Sequence, residues 1–371
     1  MQLRCSKENL AKGVQAVRGA VASHGVLPVL SNILVEALPG GVTLTATDLE
    51  LGIKTDVPAE VKEEGTVTLP AKTLGEIIAR LPEADVEFAS TNGGAETQIT
   101  CDKVTFTLRG LPPGEFPALP QAEGKVAVSF DASTLQRAIK LTTFATANDD
   151  TKSTLSGVFV QIEGKRLELA ATDGYRLACF SYDLAKSIKT GLQIIVPTRS
   201  LQELARLAGA SGPEAKVNLT LCNNQSVWEV EGKILTSRLI DGQYPRYRDI
   251  IPQAFEKKAL IERELLLAAV ERAAIMASER TNNIIHLEIK PGELHLTAGT
   301  PDMGNAAETL SVEYAGEPLA IAFNAKYLIE AIRHQEAVAL QLELGTSLSP
   351  ALLHGAKDGA YLCLIMPVRA K

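Results

Sequence analysis

Cysteine is scarce and scattered in this chain: five residues, at 5, 101, 179, 222 and 363, with no C-x-x-C pair. That spacing excludes a zinc ribbon or a dithiol redox motif and reads as buried, reduced thiols. The five histidines, at 24, 286, 295, 334 and 354, form no ligand cluster. Neither a metal nor a Cys–His pair is therefore expected, and no cofactor is called for. Aromatics are 5% of the residues, with a single tryptophan, Trp228, too few for a base-stacking platform. Glycines never fall into the phosphate-cradling patterns G-x-x-x-x-G-K-[ST] or G-x-G-x-x-G, and no G-x-S-x-G elbow occurs. No apolar run approaches the ~18 residues of a membrane helix. The opening MQLRCSKENLAKG lacks the charged-then-apolar order of a signal peptide. The expectation is a cytoplasmic protein without catalytic machinery.

What is present is a repeat. The chain has 371 residues, 46% hydrophobic and 22% charged, enough for two or three domains that fold without staples. VTLTATD ends at Asp48, LELAATD at Asp173 and LHLTAGTPD at Asp302, 125 and 129 residues apart. Pro70, Pro197 and Asn324 open the similar stretches PAKTLGEIIARL, PTRSLQELARLA and NAKYLIEAIRH at intervals of 127. PPGEFPALP and IDGQYPRYRDIIP align through Gly114 and Gly242. Several landmarks at one period define three domain-sized units. A fold has little use for one catalytic acid in three places, so these aspartates are expected to cap their own turns.

Each unit reads as an α+β domain, two helices packed on antiparallel sheets. Leu10, Val14, Val17 and Val21 give the helical spacing of the first helix, whose counterparts begin near Leu135 and Leu265. Leu74, Leu201 and Leu328 mark the second. Alternating segments such as LSNILVEAL, GVTLTATD, VTFTLRG and SVWEVEGKILTSRL supply strands. PQAEGKVA (120–127) and PQAFEKKA (252–259) read as weakly structured joins, giving domains at 1–124, 125–254 and 255–371.

The net charge of −7 argues on its face against a nucleic-acid partner. Its distribution does not. The six helical stretches together carry +5, which leaves −12 for the rest; only the stretch 260–280 is negative, at −1. Lys72-Glu76-Arg80, Arg199-Glu203-Arg206 and Lys326-Glu330-Arg333 recur at equivalent places, and Lys7 and Arg18 are spaced to share a helix face. Solvated i,i+4 pairs would produce such a pattern, and so would one surface that faces a polyanion without reading its sequence.

The combination TATD, AATDGYRLA, IDGQYPRYRDIIP and a terminal IMPVR, on three similar domains of this total length, resembles the bacterial sliding clamps, the β subunits of DNA polymerase III. The resemblance implies three clamp domains per chain, dimerising head to tail into a closed ring around duplex DNA. It implies partnership with a replicative polymerase, a clamp loader and other proteins carrying a clamp-binding motif, with no enzymatic activity and no membrane. A partner-peptide pocket is implied at Leu155, Thr172, Gly174, Tyr175, Arg176 and Leu177, then Pro245 and Ile250, then Leu364, Met366, Pro367, Val368 and Arg369. DNA-facing residues implied in the same way are Lys7, Lys12, His24, Asn148, Lys152, Arg199 and Arg280, and the dimer edge is Phe106 and Leu108 against Ile275 and Met276. Asp249, Tyr175 and His24 depart from residues frequent in the family, and Ala370 and Lys371 run past Arg369. Two other readings stay open: a hydrolase using Asp48, Asp173 or Asp302, and a peptide-binding scaffold that does not touch DNA.

Overall fold

The computed structural model describes residues 1–22, 27–91, 94–120, 127–148, 154–277, 283–300, 304–357 and 359–369. One order of elements recurs three times. The first repeat runs β1 (Gln2–Ser6), α1 (Lys7–Val17), β2 (Asn32–Leu38), β3 (Gly41–Thr47), β4 (Leu51–Val57), β5 (Glu60–Glu63), β6 (Gly65–Pro70), α2 (Ala71–Arg80), β7 (Asp85–Thr91), β8 (Glu96–Cys101) and β9 (Val104–Arg109). The second runs β10 (Val128–Asp131), α3 (Ala132–Thr142), β11 (Gly157–Glu163), β12 (Arg166–Thr172), β13 (Arg176–Asp183), β14 (Leu192–Pro197), α4 (Thr198–Gly209), β15 (Lys216–Cys222), β16 (Gln225–Val230) and β17 (Lys233–Arg238). The third runs β18 (Lys257–Glu262), α5 (Arg263–Ala274), β19 (Ile284–Lys290), β20 (Glu293–Thr300), β21 (Gly304–Ser311), β22 (Leu319–Asn324), α6 (Ala325–Arg333), β23 (Ala339–Leu344), β24 (Ala351–Gly355) and β25 (Tyr361–Ile365). The short β5 is the first repeat's addition.

Side-chain caps open two of the helices. Ser6 accepts a hydrogen bond from the Asn9 N–H at 3.2 Å, and Asn324 accepts those of Lys326 and Tyr327. Leu10, Val14 and Val17 are buried on α1, as are Leu74 on α2, Leu201 on α4 and Leu328 on α6. Three expectations are corrected. Val21 lies beyond α1, because the chain leaves the helix through a 3₁₀ turn at Arg18–Ala20 and is extended at Val21. On α5 the inward residue is Leu266, while Leu265 is 53% exposed; the helix starts one residue later than its leucine pattern suggested. The second half of PQAFEKKA is no join either, since Lys257–Glu262 is β18, paired with β23.

By internal contacts the chain divides into two compact units, residues 1–136 with 199–239, and residues 137–198 with 240–371. In the first unit, one sheet has the order β5-β1-β7-β8-β9 and the other β10-β15-β16-β17-β4-β3-β2-β6. Sheets of the second unit run β14-β11-β12-β13-β25-β24-β23-β18 and β21-β20-β19-β22. Both eight-stranded sheets cross a repeat boundary: β17 pairs with β4, and β25 with β13. Periodicity within one repeat carries no trace of these pairings, which sequence reading missed. In the first unit α1 lies against β3, β4 and α2; in the second, α5 lies against β20, β21 and α6.

Candidate functional site

The stretch Thr172–Arg176 turns tightly before β13. Thr172 Oγ1 donates to the Arg176 carbonyl at 2.5 Å and accepts the Gly174 N–H at 3.1 Å. Asp173 Oδ1 accepts the N–H groups of Tyr175 and Arg176 at 2.8 and 3.1 Å. Gly174 sits at φ +94°, where a side chain would be strained. Thr47 and Asp48 build the same turn: Thr47 Oγ1 donates to Leu51 O at 2.9 Å, and Asp48 Oδ1 accepts from Glu50 and Leu51 at 3.0 and 2.7 Å. Both carboxylates serve as turn caps. The third landmark, Asp302, lies outside the described residues.

Beyond the turn, alternate residues of β13 part company. Leu177 and Cys179 point into a cluster of Ala170, Ile195, Tyr244, Tyr247, Leu352 and Leu364, against which Leu155 and Met366 pack half-buried. Arg176 points to the opposite face, 5% exposed. There its Nε meets Asp173 Oδ2 at 3.1 Å, its Nη2 donates to Phe144 O at 2.6 Å, and its Nη1 binds Glu330. The rings of Tyr327 and Phe144 flank the guanidinium at 4.7 and 5.3 Å. Arg176 thus gives the cluster side its backbone, and its side chain ties the turn to α6.

The cluster keeps an accessible rim. Tyr175 is 58% exposed with its ring 6.2 Å from that of Tyr327, and Ile250 is 47% exposed at the end of the 3₁₀ turn Tyr247–Ile250. Pro245 is exposed and its carbonyl accepts the Tyr247 N–H at 2.8 Å. Met366 donates its N–H to Tyr175 O at 2.8 Å, which brings the C-terminal segment against the turn. Pro367 and Val368 are half-buried, with the Val368 N–H on Ala322 O at 2.8 Å, and Arg369 is exposed. Asp249 is exposed in the 3₁₀ turn. Leu155, Thr172, Leu177, Leu364 and Met366 are thus brought to one place. Sequence reading missed Tyr244, Tyr247 and Ile195, although both tyrosines lie in the quoted IDGQYPRYRDIIP. Tyr244 Oη accepts the Thr172 N–H at 3.1 Å, and Tyr247 hydrogen-bonds Glu168. Burial raises both phenols and the Cys179 thiol well above their usual values, and Glu168 adds to the effect on Tyr247 and Cys179. Burial also pushes Cys363 up to about 12. These groups stay protonated and serve packing.

Of the residues expected to face DNA, Lys7, Lys12 and Arg199 make ion pairs within the chain. Lys7 Nζ lies 2.6 Å from both Leu81 O and Glu83 Oε1, and Lys12 Nζ 2.6 Å from Glu8. Arg199 binds Asp48 and donates to Gly19 O at 3.0 Å. Asn148 is exposed; His24, Lys152 and Arg280 lie outside the described residues. At the expected dimer edge, β9 and β21 are each the last strand of their sheet. Phe106 is 38% and Ile275 72% exposed, with Leu108 and Met276 half-buried. Among the described residues no helix is long and apolar enough to cross a membrane.

Fold and site together define a protein of three homologous α+β repeats, cross-linked by shared sheets, with one half-open apolar cluster at a repeat boundary. Known proteins fit that class in detail. The N-terminal, central and C-terminal domain families of the DNA polymerase III beta subunit match residues 1–120, 129–246 and 248–369. A beta sliding clamp of Synechococcus elongatus is 36% identical, with all of both chains covered. The DNA polymerase sliding clamp of Bacillus subtilis superposes over both full chains with a TM-score of 0.95 at 29% identity, and the DNA polymerase III subunit beta of Pseudomonas aeruginosa with 0.92 at 31%. The chain belongs to the DNA polymerase III beta-subunit family, the beta sliding clamps. It is a non-enzymatic processivity factor of DNA replication.

Proposed function

We propose that the chain acts as a head-to-tail homodimer closed around duplex DNA, built from clamp domains at 1–124, 125–254 and 255–371. The repetition of one strand pairing carries this reading. The last strand of the second repeat, β17, pairs with β4 of the first, and the last strand of the third, β25, with β13 of the second. Only the last strand of the first repeat, β9, and the strand equivalent to β4 and β13 in the third, β21, end their sheets in these positions. A partner copy supplies what each lacks, and Phe106 and Leu108 then meet Ile275 and Met276. An open edge strand is otherwise a liability, and a heterologous contact closes into a ring when its rotation divides a full turn.

Tethering follows from topology: an encircled duplex keeps a bound polymerase at high effective concentration without reading sequence. The half-open cluster at the second boundary suits a short partner peptide with apolar anchors, as a replicative polymerase, a clamp loader and other motif-bearing partners would present. In that reading Leu177, Leu364 and Leu155 form the floor, Met366 adapts to different anchors, and Tyr175, Pro245, Ile250 and Val368 form the rim. The setting is the cytoplasm, on the nucleoid during replication.

Retention on nicked circular DNA, after loading with a bacterial clamp loader and ATP, tests the ring. Protein that stays on circles and runs off after a single linearising cut supports it. Equal retention before and after cutting would mean plain electrostatic binding. No retention, with a control clamp loading normally, would favour a scaffold that does not use DNA.

A further inference from the structure

On β12 one face changes character along its length. Ala170 belongs to the apolar cluster, with Phe159 of β11 directly across from it. The next pair on that face sets Glu168 opposite Gln161. Glu168 keeps only 17% of its side chain exposed, and Gln161 is buried. A carboxylate at that depth needs donors, and the 3₁₀ turn Tyr247–Ile250 provides them. Tyr247 Oη donates to Glu168 Oε1, as do Arg248 Nε at 3.2 Å and Arg248 Nη2 at 3.0 Å. Gln161 offers its Oε1 to the same Nη2 at 3.4 Å, while its amide nitrogen donates to Glu163 at 2.5 Å.

Backbone bonds alone hold such a turn weakly. It is four residues long and starts without a side-chain cap, and its closing bond, from the Ile251 N–H to the Arg248 carbonyl, is 3.3 Å. Inward, Tyr247 is 5% exposed and stands edge-on to Phe159 and Tyr244, at 6.1 and 6.3 Å between ring centres. A phenol buried that far requires an acceptor. Glu168 supplies one with charge, and a charged acceptor binds about twice as strongly as a neutral one. Outward, the turn holds Ile250 at the rim of the cluster. The residue equivalent to Glu168 at the first boundary is Thr43, whose hydroxyl donates to Asp56 of the next strand at 2.7 Å. The carboxylate thus goes with the longer second connector.

We propose that Glu168 is a positioning residue of the partner-peptide pocket: it gathers Tyr247 and Arg248 on one oxygen and so fixes the turn that sets Ile250 at the rim. Glu168 itself touches no peptide. Its effect reaches the ligand through Ile250, and therefore concerns a peptide whose apolar anchor leans on that side chain. The assignment rests on the pocket reading above and adds to it a residue outside the apolar cluster.

The test measures, by fluorescence anisotropy, the Kd of the full-length protein for a fluorescein-labelled peptide bearing the clamp-binding motif of a bacterial replicative polymerase. Glu168→Ala should weaken binding about tenfold, most of the worth of one aliphatic contact. Glu168→Gln keeps an acceptor oxygen for both donors and should stay within about threefold of the parent. Ile250→Ala should also cost about tenfold, and adding Glu168→Ala to it should cost less than about twofold more. A merely structural carboxylate would lower affinity by the same factor with or without Ile250. Should Glu168→Ala fail to fold, Tyr247→Phe removes one donor and should cost about threefold, again only while Ile250 is present. Unchanged affinity in Glu168→Ala, equal losses in both backgrounds, or a Gln variant no better than the Ala one overturns the assignment while the pocket stands. Absence of peptide binding by the parent protein overturns the pocket reading with it.

Discussion

The two repeat boundaries within the chain present the same two acceptors, yet different arginines answer them. At the first, Asp48 and the Gly19 carbonyl are held by Arg199, which reaches over from α4 of the second repeat. At the second, the equivalent Asp173 and Phe144 carbonyl are held by Arg176, which belongs to the same repeat and reaches on to Glu330 of α6. Where the second boundary has Arg176 the first has Leu51, and where the first has Arg199 the second has Lys326. Arg199 is 55% exposed and Arg176 only 5%. One fold has thus closed equivalent boundaries with a wet clasp and with a dry one, and the energetics of the two should differ accordingly.

The apolar side differs as well. Gly52 and Thr236 face each other across β4 and β17 where Leu177 and Leu364 do across β13 and β25. Leu119 of the connector lies over Gly52, so close that a Cβ there would sit 2.4 Å from Leu119 Cδ2. Only a cavity of about 130 Å³ remains beside it. The cluster equivalent to that of the second boundary shrinks to Val29, Leu30 and Phe116 with their neighbours. From the aligned glycine to the next Pro-Gln, the second connector is four residues longer (Gly242 to Pro252 against Gly114 to Pro120). Those residues allow the 3₁₀ turn that presents Ile250. A half-open apolar surface at one boundary and a closed one at the other follow from this difference in connector length and side-chain size.

The largest effect should come from the dry clasp. Arg176→Ala strands Asp173 and Glu330 and should cost about 3–5 kcal/mol in urea unfolding, against at most about 1 kcal/mol for Arg199→Ala. Equal costs would remove the distinction between the clasps. Next, Leu177→Ala should cost about 2–4 kcal/mol and weaken partner-peptide binding. Gly52→Ala should cost about 1–3 kcal/mol by overpacking and be rescued in part by adding Leu119→Ala, Thr236 Oγ1 at 2.6 Å being the contact that remains. A lack of rescue would show that Leu119 is not what closes the first boundary. Smaller still, Gly174→Ala should lose about 1 kcal/mol at its positive φ, whereas Leu49, which already sits at φ +80°, should tolerate or gain from glycine. Calorimetric Tm values would check both.

The smallest effect concerns pH. Burial holds His334 below its ordinary pKa, with its ring 4.0 Å from that of Phe144 and with Lys140 and Arg176 adding to the shift against the opposing pull of Glu330. The unfolded chain then binds this proton first as pH falls through about 6.5, so the second boundary should lose stability on acidification. Leu207 stands at the equivalent place in the first boundary and contributes nothing of the kind. His334→Gln should remove that part of the acid dependence of the urea midpoint; an unaltered pH profile would show that other groups carry it.

Sequence by itself determined the threefold repeat, the inward spacing of Leu10, Val14 and Val17, the turn chemistry of Asp48 and Asp173, and the apolar residues of β13 and β25. Each of these depends on local backbone preferences or on a two- or 3.6-residue period, which the order of residues displays directly. The tertiary structure alone decided that β17 joins β4 and β25 joins β13, because strand pairing between repeats is set by burial and edge complementarity at long range. It also decided which cations are paired. Lys72, Arg199 and Lys326 look alike in the repeat, but only the approach of Asp48 to Arg199 takes one of them out of play. In the same way, Arg176 lies in a stretch that sequence assigns to the pocket, and the alternation of β13 turns its side chain to the other face. Charge and type are written in the chain; which charges meet depends on what the fold brings within a few ångströms.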